Sequence, residues 1–127
     1  MHWSTYANPA VGYSLSYPEA FSIDRRGGGD YVGFRYCASE PAIVRFVSEA
    51  EGRRAGLWFG VASTRETSLG SAAAEEYAYR RYDGPFGARM LAVVIPWRGR
   101  FLALELRTDG EPTAVQRRML ESFALSK

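Results

Sequence analysis

The sequence predicts an α+β fold in which a central antiparallel sheet is flanked by two or more α-helices. Several short segments alternate apolar and polar residues at period two, as half-buried strands do. Two other segments space their apolar residues by three and four, as helices do. The 127 residues suit one domain spanning residues 1–127, with no internal repeat and no low-complexity linker.

The first element is a strand hairpin between Tyr6 and Phe21. Asn8-Pro9 is a turn signal. The next strand ends at Pro18, which has no N–H to donate to a ladder. Before that proline, one face of the strand carries Val11, Tyr13, Leu15 and Tyr17, and the other carries two serines.

Three further strands are predicted at Tyr31 to Cys37, Ala42 to Val47 and Leu57 to Ser63. The three glycines at positions 27–29 form a loop before the first of them. A phosphate-binding loop would need Gly-Lys-Ser/Thr opening a helix, whereas a strand pattern follows here.

A helix is predicted over Ser71 to Tyr82. The segment is rich in alanine and glutamate, contains no internal glycine or proline, and would be capped by Ser68 or Ser71. Glu76 and Arg80 would form a favourable i,i+4 pair. The spacing of four is carried by Ala73, Tyr77 and Arg81.

A long hairpin follows, formed by Ala88 to Trp97 and Arg100 to Thr108 around an Arg98-Gly99 turn. The run from Met90 to Ile95 is nearly continuous in apolar residues, which is typical of a central strand covered on both faces.

The last element is a helix near the C-terminus. Pro112 either occupies its first position or precedes a Thr113–Gln116 capping box. Val115, Met119 and Phe123 recur at helical spacing and should lie against the sheet.

Three segments, taken in order, resemble the PsbP-like family. They are the entry hairpin from Tyr6 to Phe21, the Ser-Ala-Ala-Ala-Glu-Glu-Tyr-Ala run from Ser71 to Ala78, and Met-Leu-Glu-Ser-Phe from Met119 to Phe123. This fold is shared by an extrinsic photosystem II subunit, a nuclear-import factor that binds the GTPase Ran, and many small bacterial envelope proteins. The resemblance implies an α/β/α sandwich, but it implies little about activity, because one fold hosts unrelated functions. It favours a bacterial cell-envelope or other extracytoplasmic location, with any leader absent from this segment.

The sequence contains no catalytic, cofactor or metal constellation, so no cofactor is predicted. His2 and Cys37 are the lone histidine and cysteine, whereas structural zinc takes about four such ligands. The histidine ligands of photosynthetic PsbP-like members therefore have no counterpart here. Cys37 has no neighbouring base to activate its thiol. Glu105 is the one carboxylate at an interesting place, and it is interpreted as an outward residue paired with a cross-strand arginine.

The charged residues exclude some partners and suggest others. A net charge of +2 is too small for a nucleic-acid surface, and no apolar run is long enough for a membrane span. Fifteen of the 16 basic side chains are arginine, through either genomic GC bias or selection for arginine chemistry. Arginine pairs occur at 25–26, 53–54, 80–81 and 117–118. They form either four solvated spots or a docking surface for an acidic partner.

These observations predict a non-enzymatic accessory or protein-interaction domain whose oligomeric state is open. The alternatives are a binding module for a small apolar or amphipathic ligand and, more remotely, a hydrolase. The predicted partner-binding residues are Trp97, Arg98 and Arg100 at the hairpin tip, because tryptophan and arginine are enriched among binding hot spots. The competing interpretation is an ordinary turn with Trp97 folded back on the core. A deep apolar pocket would favour the ligand module, and an arginine-rich face would favour docking.

Overall fold

A computed structural model of the protein describes residues 1–49, 63–81 and 88–126. Strands hold 64% of these residues, in two antiparallel sheets. The elements are β1 (Trp3–Asn8), β2 (Tyr13–Pro18), β3 (Ser22–Arg26), β4 (Tyr31–Tyr36), β5 (Ser39–Val47), β6 (Ser63–Leu69), β7 (Ala72–Arg81), β8 (Ala88–Trp97), β9 (Arg100–Arg107), α1 (Ala114–Ser122) and β10 (Ala124–Leu125).

The larger sheet has seven strands in the order β3-β4-β5-β9-β8-β7-β6, and the smaller has the order β1-β2-β10. The smaller sheet and α1 pack on one face of the larger sheet, which we call the first face. The main core lies between these layers. Its fully buried members include Leu15, Phe34, Ile95, Leu104 and Met119.

The predicted α+β sandwich with two or more helices is wrong. The described residues form two sheets with one short helix, so the protein is mostly β. The layer on the first face is largely a three-stranded sheet. The hairpin of β1 and β2 supplies two of its strands, and β10 adds the third along β2.

The error lies chiefly in the segment predicted as a helix from Ser71 to Tyr82, which is strand β7 up to Arg81. Gly70, at φ 60°, and Ser71 form a tight turn that pairs Leu69 with Ala72, so Ser71 is a turn residue and caps no helix. Glu76 does not pair with Arg80 along a helix. Its carboxylate accepts from Arg65 on the neighbouring strand. Helix propensity is a weak preference that strand pairing on both sides overrides.

The other predicted strands hold where the structure describes them. The entry hairpin, the two strands that follow it and the long hairpin are present. The predicted strand at Leu57 to Ser63 lies outside the described residues, except for Ser63 at the start of β6. The second arginine pair, at residues 53–54, also lies outside them.

The terminal helix begins as one of the two alternatives predicts. Thr113 is the N-cap, its hydroxyl accepts from the Gln116 N–H at 3.1 Å, and the Gln116 side chain accepts from the Thr113 N–H at 3.0 Å. Pro112 therefore precedes the cap. Met119 is fully buried, and the Phe123 ring stacks on Tyr13 at 5.3 Å.

The opposite side of the larger sheet, which we call the second face, is also buried near its centre. Tyr77, Ala92 and Ala103 have no exposed surface there. Glu105 is fully buried among them and accepts hydrogen bonds from the Arg45 guanidinium and the Tyr79 hydroxyl. The interpretation of Glu105 as an outward residue is therefore wrong, although its pairing with a cross-strand arginine is correct.

Candidate functional site

Three loops meet at one end of the larger sheet. They are the β1–β2 turn at residues 9–12, the glycine turn at residues 27–29, and the β8–β9 tip at residues 98–99. Asn8, which is fully buried, joins the first two. Its Nδ2 donates to the Gly29 carbonyl at 2.9 Å, and its Oδ1 accepts from the Val11 N–H at 3.2 Å. One buried amide side chain therefore fixes the relative position of two loops.

Trp97 holds the hairpin tip against the same turn. Its indole N–H donates to the Val11 carbonyl at 2.7 Å, and its ring is half-buried at the margin of the main core. This geometry matches the interpretation in which the tryptophan folds back. The role of Trp97 in partner binding remains a prediction. Only the exposed part of its ring is available to a partner.

Arg98 occupies the tight turn itself. Its φ of 51° and the φ of 77° at Gly99 suit a type I′ hairpin turn, which matches the twist of the flanking strands. Its guanidinium donates to the Ala10 carbonyl at 3.3 Å and to the Ser126 carbonyl at 3.4 Å. A Cβ at Gly12 would lie 2.6 Å from Arg98 Nη2, so glycine there makes room for the arginine.

Arg100 begins the next strand and is half exposed. Its Nη1 lies 3.2 Å from Asp30 Oδ2, and its guanidinium stacks 3.7 Å from the centre of the Phe46 ring. Phe46 in turn donates its N–H to the Asp30 carbonyl at 3.2 Å. The Arg100 side chain is therefore held in place while much of its surface remains accessible.

Arg25 completes the group from the end of β3. It is exposed, and its Nη2 donates to the Gly28 carbonyl at 3.2 Å. Sequence reasoning did not place Arg25 near the hairpin tip, it gave Asn8 no role beyond its turn, and it did not single out Asp30. The available signals were the arginines before the glycine run and an isolated amide at a turn, but neither reveals which loops meet.

We call the surface formed by Arg25, Arg98 and Arg100 the arginine end. Arg25 and Arg98 make no carboxylate contact within the described residues, and Asp30 is the one acid paired to the group. The local charge is therefore positive. Guanidinium groups present several N–H donors in a planar fork that suits carboxylates and phosphates. The arrangement can therefore bind an anion.

The predicted arginine pairs do not converge as pairs. Arg26 points to the second face, where it binds Asp24 at 2.7 Å. On α1, Arg117 lies 3.7 Å from Glu111, and Arg118 stacks over Trp3 at 4.2 Å. Arg80 lies on β7 rather than on a helix. Arg25, from the first pair, therefore belongs to the arginine end. The described arginines of the other pairs lie elsewhere on the protein.

Other chemistry has little support among the described residues. No group of three or more histidine, cysteine, aspartate and glutamate side chains there could hold a metal ion. Cys37 is exposed in a turn with φ 55°. In the same part of the chain, no helix is long and apolar enough to cross a membrane.

The hydroxyls of Tyr6 and Tyr13 are buried beneath the arginine end without a hydrogen-bond partner among the described residues. Burial raises the pKa of Tyr13 well above its ordinary value. Below pH of about 10 the hydroxyl is neutral in both the folded and unfolded states, and above it the unfolded state ionises first. Tyr13 therefore contributes to a loss of stability in alkaline solution.

Tyr13→Phe should change the free energy of unfolding at pH 7 by less than about 1 kcal/mol, because the hydroxyl makes no hydrogen bond of normal geometry with the described residues. Between about pH 9.5 and 11.5 the variant should lose less stability than the unmodified protein. Urea denaturation across this pH range measures both effects. Tyr36→Phe, at an exposed ring, is the control and should behave like the unmodified protein. Equal alkaline losses for all three proteins would contradict the prediction.

The comparisons with known proteins support the fold. No family model matches the chain, and no curated protein matches it. The solution structure of cyanobacterial PsbP (CyanoP) from Synechocystis sp. PCC 6803 superposes with a TM-score of 0.62 at 14% identity. The match covers 97% of this chain and 92% of that one. The chain therefore has a PsbP-like fold, as the resemblance predicts.

Proposed function

We propose that this domain is a non-enzymatic interaction module and that its arginine end docks an acidic segment of another protein. The observation that carries the proposal is the convergence of three exposed arginines, one from the end of β3 and two from the β8–β9 hairpin, around the turn that Asn8 anchors. Asp30 alone is paired to them within the described part of the chain.

Preorganisation supports this function. Arg98 is tethered to two backbone carbonyls, and Arg100 stacks on Phe46, so both side chains have lost part of their freedom before any partner arrives. Rigid contact groups bind more tightly because less conformational entropy is lost on association. A carboxylate-rich segment would accept hydrogen bonds from the guanidinium N–H groups that are not bonded to the backbone carbonyls.

The hydrolase alternative has no comparable support. Its candidate carboxylate, Glu105, is fully buried and already accepts hydrogen bonds from Arg45 and Tyr79. The Glu105 carboxylate therefore pairs with groups of the protein itself and is not accessible to a substrate.

We further propose that the domain works outside the cytoplasm, in a bacterial cell envelope. The support is the PsbP-like fold, since small envelope proteins are among the proteins that share it. Fractionation of the native source tests this location directly, and recovery of the protein in the cytosolic fraction would contradict it.

The docking proposal is tested with a fluorescent peptide of alternating glutamate and glycine, titrated against the purified domain. Arg98→Ala/Arg100→Ala should weaken binding roughly five- to thirtyfold, corresponding to about 1–2 kcal/mol for two charged contacts. Arg117→Ala/Arg118→Ala removes the same charge from α1 and is the matched control. Melting temperatures of both double variants show whether each remains folded.

Selective weakening by the tip variant would support docking at the arginine end. Equal weakening by both double variants would show that binding depends only on the net charge of the domain. Unchanged binding by Arg98→Ala/Arg100→Ala would show that the arginine end is not the docking site. A pull-down from the native source with the same variants would then identify the partner.

A further inference from the structure

Two arginines lie directly opposite one another at the end of β8 that is farthest from the arginine end. Arg80 on β7 is the register partner of Arg89 on β8, and we call them the opposed arginine pair. The next register pair on the same face is Ala78 with Leu91, and Leu91 packs against the main core. Because side chains alternate between the two faces of a strand, both arginines lie on the first face.

The opposed arginine pair is unfavourable unless an anion neutralises it. Side chains directly opposite in an antiparallel ladder have Cβ atoms about 4.5–5.5 Å apart, and like charges at such positions are destabilising. The same face of β7 shows the favourable alternative, because Glu76 is the register partner of Arg65 and accepts a hydrogen bond from it. Two arginines in this arrangement therefore call for a negative charge from another source.

No carboxylate within the described part of the chain supplies that charge. Arg80 makes no hydrogen bond or ion pair there. The Arg89 guanidinium donates to the backbone carbonyl of Asp109 at 3.4 Å, and not to its carboxylate. Glu111, the next acid along the chain, pairs with Arg117 at 3.7 Å. Both guanidiniums of the opposed arginine pair therefore keep most of their N–H donors open.

A recess of about 300 Å³ is lined by both members of the opposed arginine pair. Ala78 and Leu91 lie beside them in its lining, and Thr108 and Gly110 line it from the connection between β9 and α1. The two remaining lining residues belong to the buried cluster of the second face, so their side chains point away from the first face. The volume is at the lower end of the usual range for a small-molecule site.

The wall formed by Thr108 is held in place by two hydrogen bonds. Its N–H donates to the Arg89 carbonyl at 3.0 Å, and its hydroxyl donates to the Glu111 carbonyl at 2.8 Å. Arg80 is half-buried and Arg89 is exposed, so the recess combines a partly confined cation with an accessible one. A site whose walls are already fixed loses less conformational entropy when a ligand binds.

We propose that this recess binds a small phosphate monoester, with the phosphate between Arg80 and Arg89 and the organic body against Leu91. A phosphate monoester carries a charge of about −1.5 to −2 at neutral pH and has three acceptor oxygens, so one group neutralises both arginines. A carboxylate carries a single charge and would neutralise one of them. Planar guanidinium forks hold phosphate oxygens through paired hydrogen bonds.

The site is separate from the arginine end. Arg89 precedes Arg98 by nine residues of extended strand, a separation of about 30 Å. The phosphate site and the docking of an acidic segment can therefore succeed or fail independently.

The test uses phenyl phosphate, measured by isothermal titration calorimetry at constant ionic strength. Benzoate is the matched probe, since it has the same ring and a single negative charge. Phenyl phosphate should bind saturably and at least about fivefold more tightly than benzoate. Arg80→Gln and Arg89→Gln should each weaken phenyl phosphate binding at least about fivefold, because each removes a charged hydrogen-bonded contact.

Arg107→Gln is the matched control. Arg107 is exposed at the same end of the sheet, but it pairs with Met90 on the second face. Its removal changes the net charge equally and should leave phenyl phosphate binding unchanged, as should Arg100→Gln at the arginine end. The melting temperatures of the ligand-free Arg80→Gln and Arg89→Gln variants should not fall, since each substitution relieves a contact between like charges.

Four outcomes would overturn the proposal. One is the absence of saturable phenyl phosphate binding, and another is binding of benzoate with equal affinity. The third is equal weakening by Arg107→Gln and Arg89→Gln, which would show that binding depends only on net charge. The fourth is a loss of binding confined to Arg100→Gln, which would place the phosphate at the arginine end.

Discussion

Arg45→Met is expected to lower the free energy of unfolding by about 3–5 kcal/mol, because it leaves a buried charge without its counter-ion. The Arg45 guanidinium donates to both oxygens of Glu105, which is fully buried on the second face. The Tyr79 hydroxyl is a further donor to that carboxylate, but it carries no charge. Chemical denaturation at neutral pH measures the loss.

The double variant Arg45→Met/Glu105→Leu isolates the energetic role of the ion pair. Removing both charges should cost less than removing Arg45 alone, since replacing a buried ion pair by apolar residues is often close to neutral. Arg100→Met, which breaks the half-exposed pair with Asp30, is the control and should cost less than about 1 kcal/mol. A double variant that is less stable than Arg45→Met would refute the assigned role of the pair.

Local signals predict the hairpins and the terminal helix because each is specified by a few adjacent residues. Asn8-Pro9 and Arg98-Gly99 encode turns, and the latter adopts the positive φ values that its turn type requires. Thr113 and Gln116 are three residues apart and satisfy one another's backbone donors. None of these features depends on a distant segment, so sequence pattern is sufficient to predict them.

Strand β7 shows where local evidence fails. Its alanines and glutamates favour a helix, and the spacing of four between similar residues is a coincidence. The same segment also alternates as a strand does, so that Tyr77 and Tyr79 lie on the second face. The segment becomes a strand because it pairs with β6 and β8 on its two sides. The neighbouring Gly70 turn was the available signal. A glycine at the first position of a two-residue loop favours a hairpin.

The candidate sites depend still more on distant contacts. The sequence placed Arg98 and Arg100 together because they are near neighbours, but the addition of Arg25 requires the Asn8 bond to Gly29. Leu102, Leu104 and Leu106 alternate in the sequence and form one buried face of β9. This alternation could not show that the other face, with Glu105, is buried as well, because that depends on what packs over the second face.

Met119→Ala is expected to cost about 2–5 kcal/mol, because it deletes most of a fully buried side chain from the main core. Met119 lies on α1, which contacts β2, and it is buried in the cluster that contains Tyr13, Leu15 and Phe123. The void left behind would lose dispersion contacts with both layers, and the size of the loss depends on how far those layers can close.

The matched control for Met119 is Arg117→Ala on the same helix. Its side chain is exposed and lies 3.7 Å from Glu111, so its removal should change the free energy of unfolding by less than about 0.5 kcal/mol. Both variants are compared by urea denaturation, with the slope against denaturant recorded as well as the midpoint. A loss below about 0.5 kcal/mol for Met119→Ala would show that α1 does not hold the smaller sheet on the first face. A full loss together with an unchanged slope would show that the helix is part of the cooperatively unfolding core.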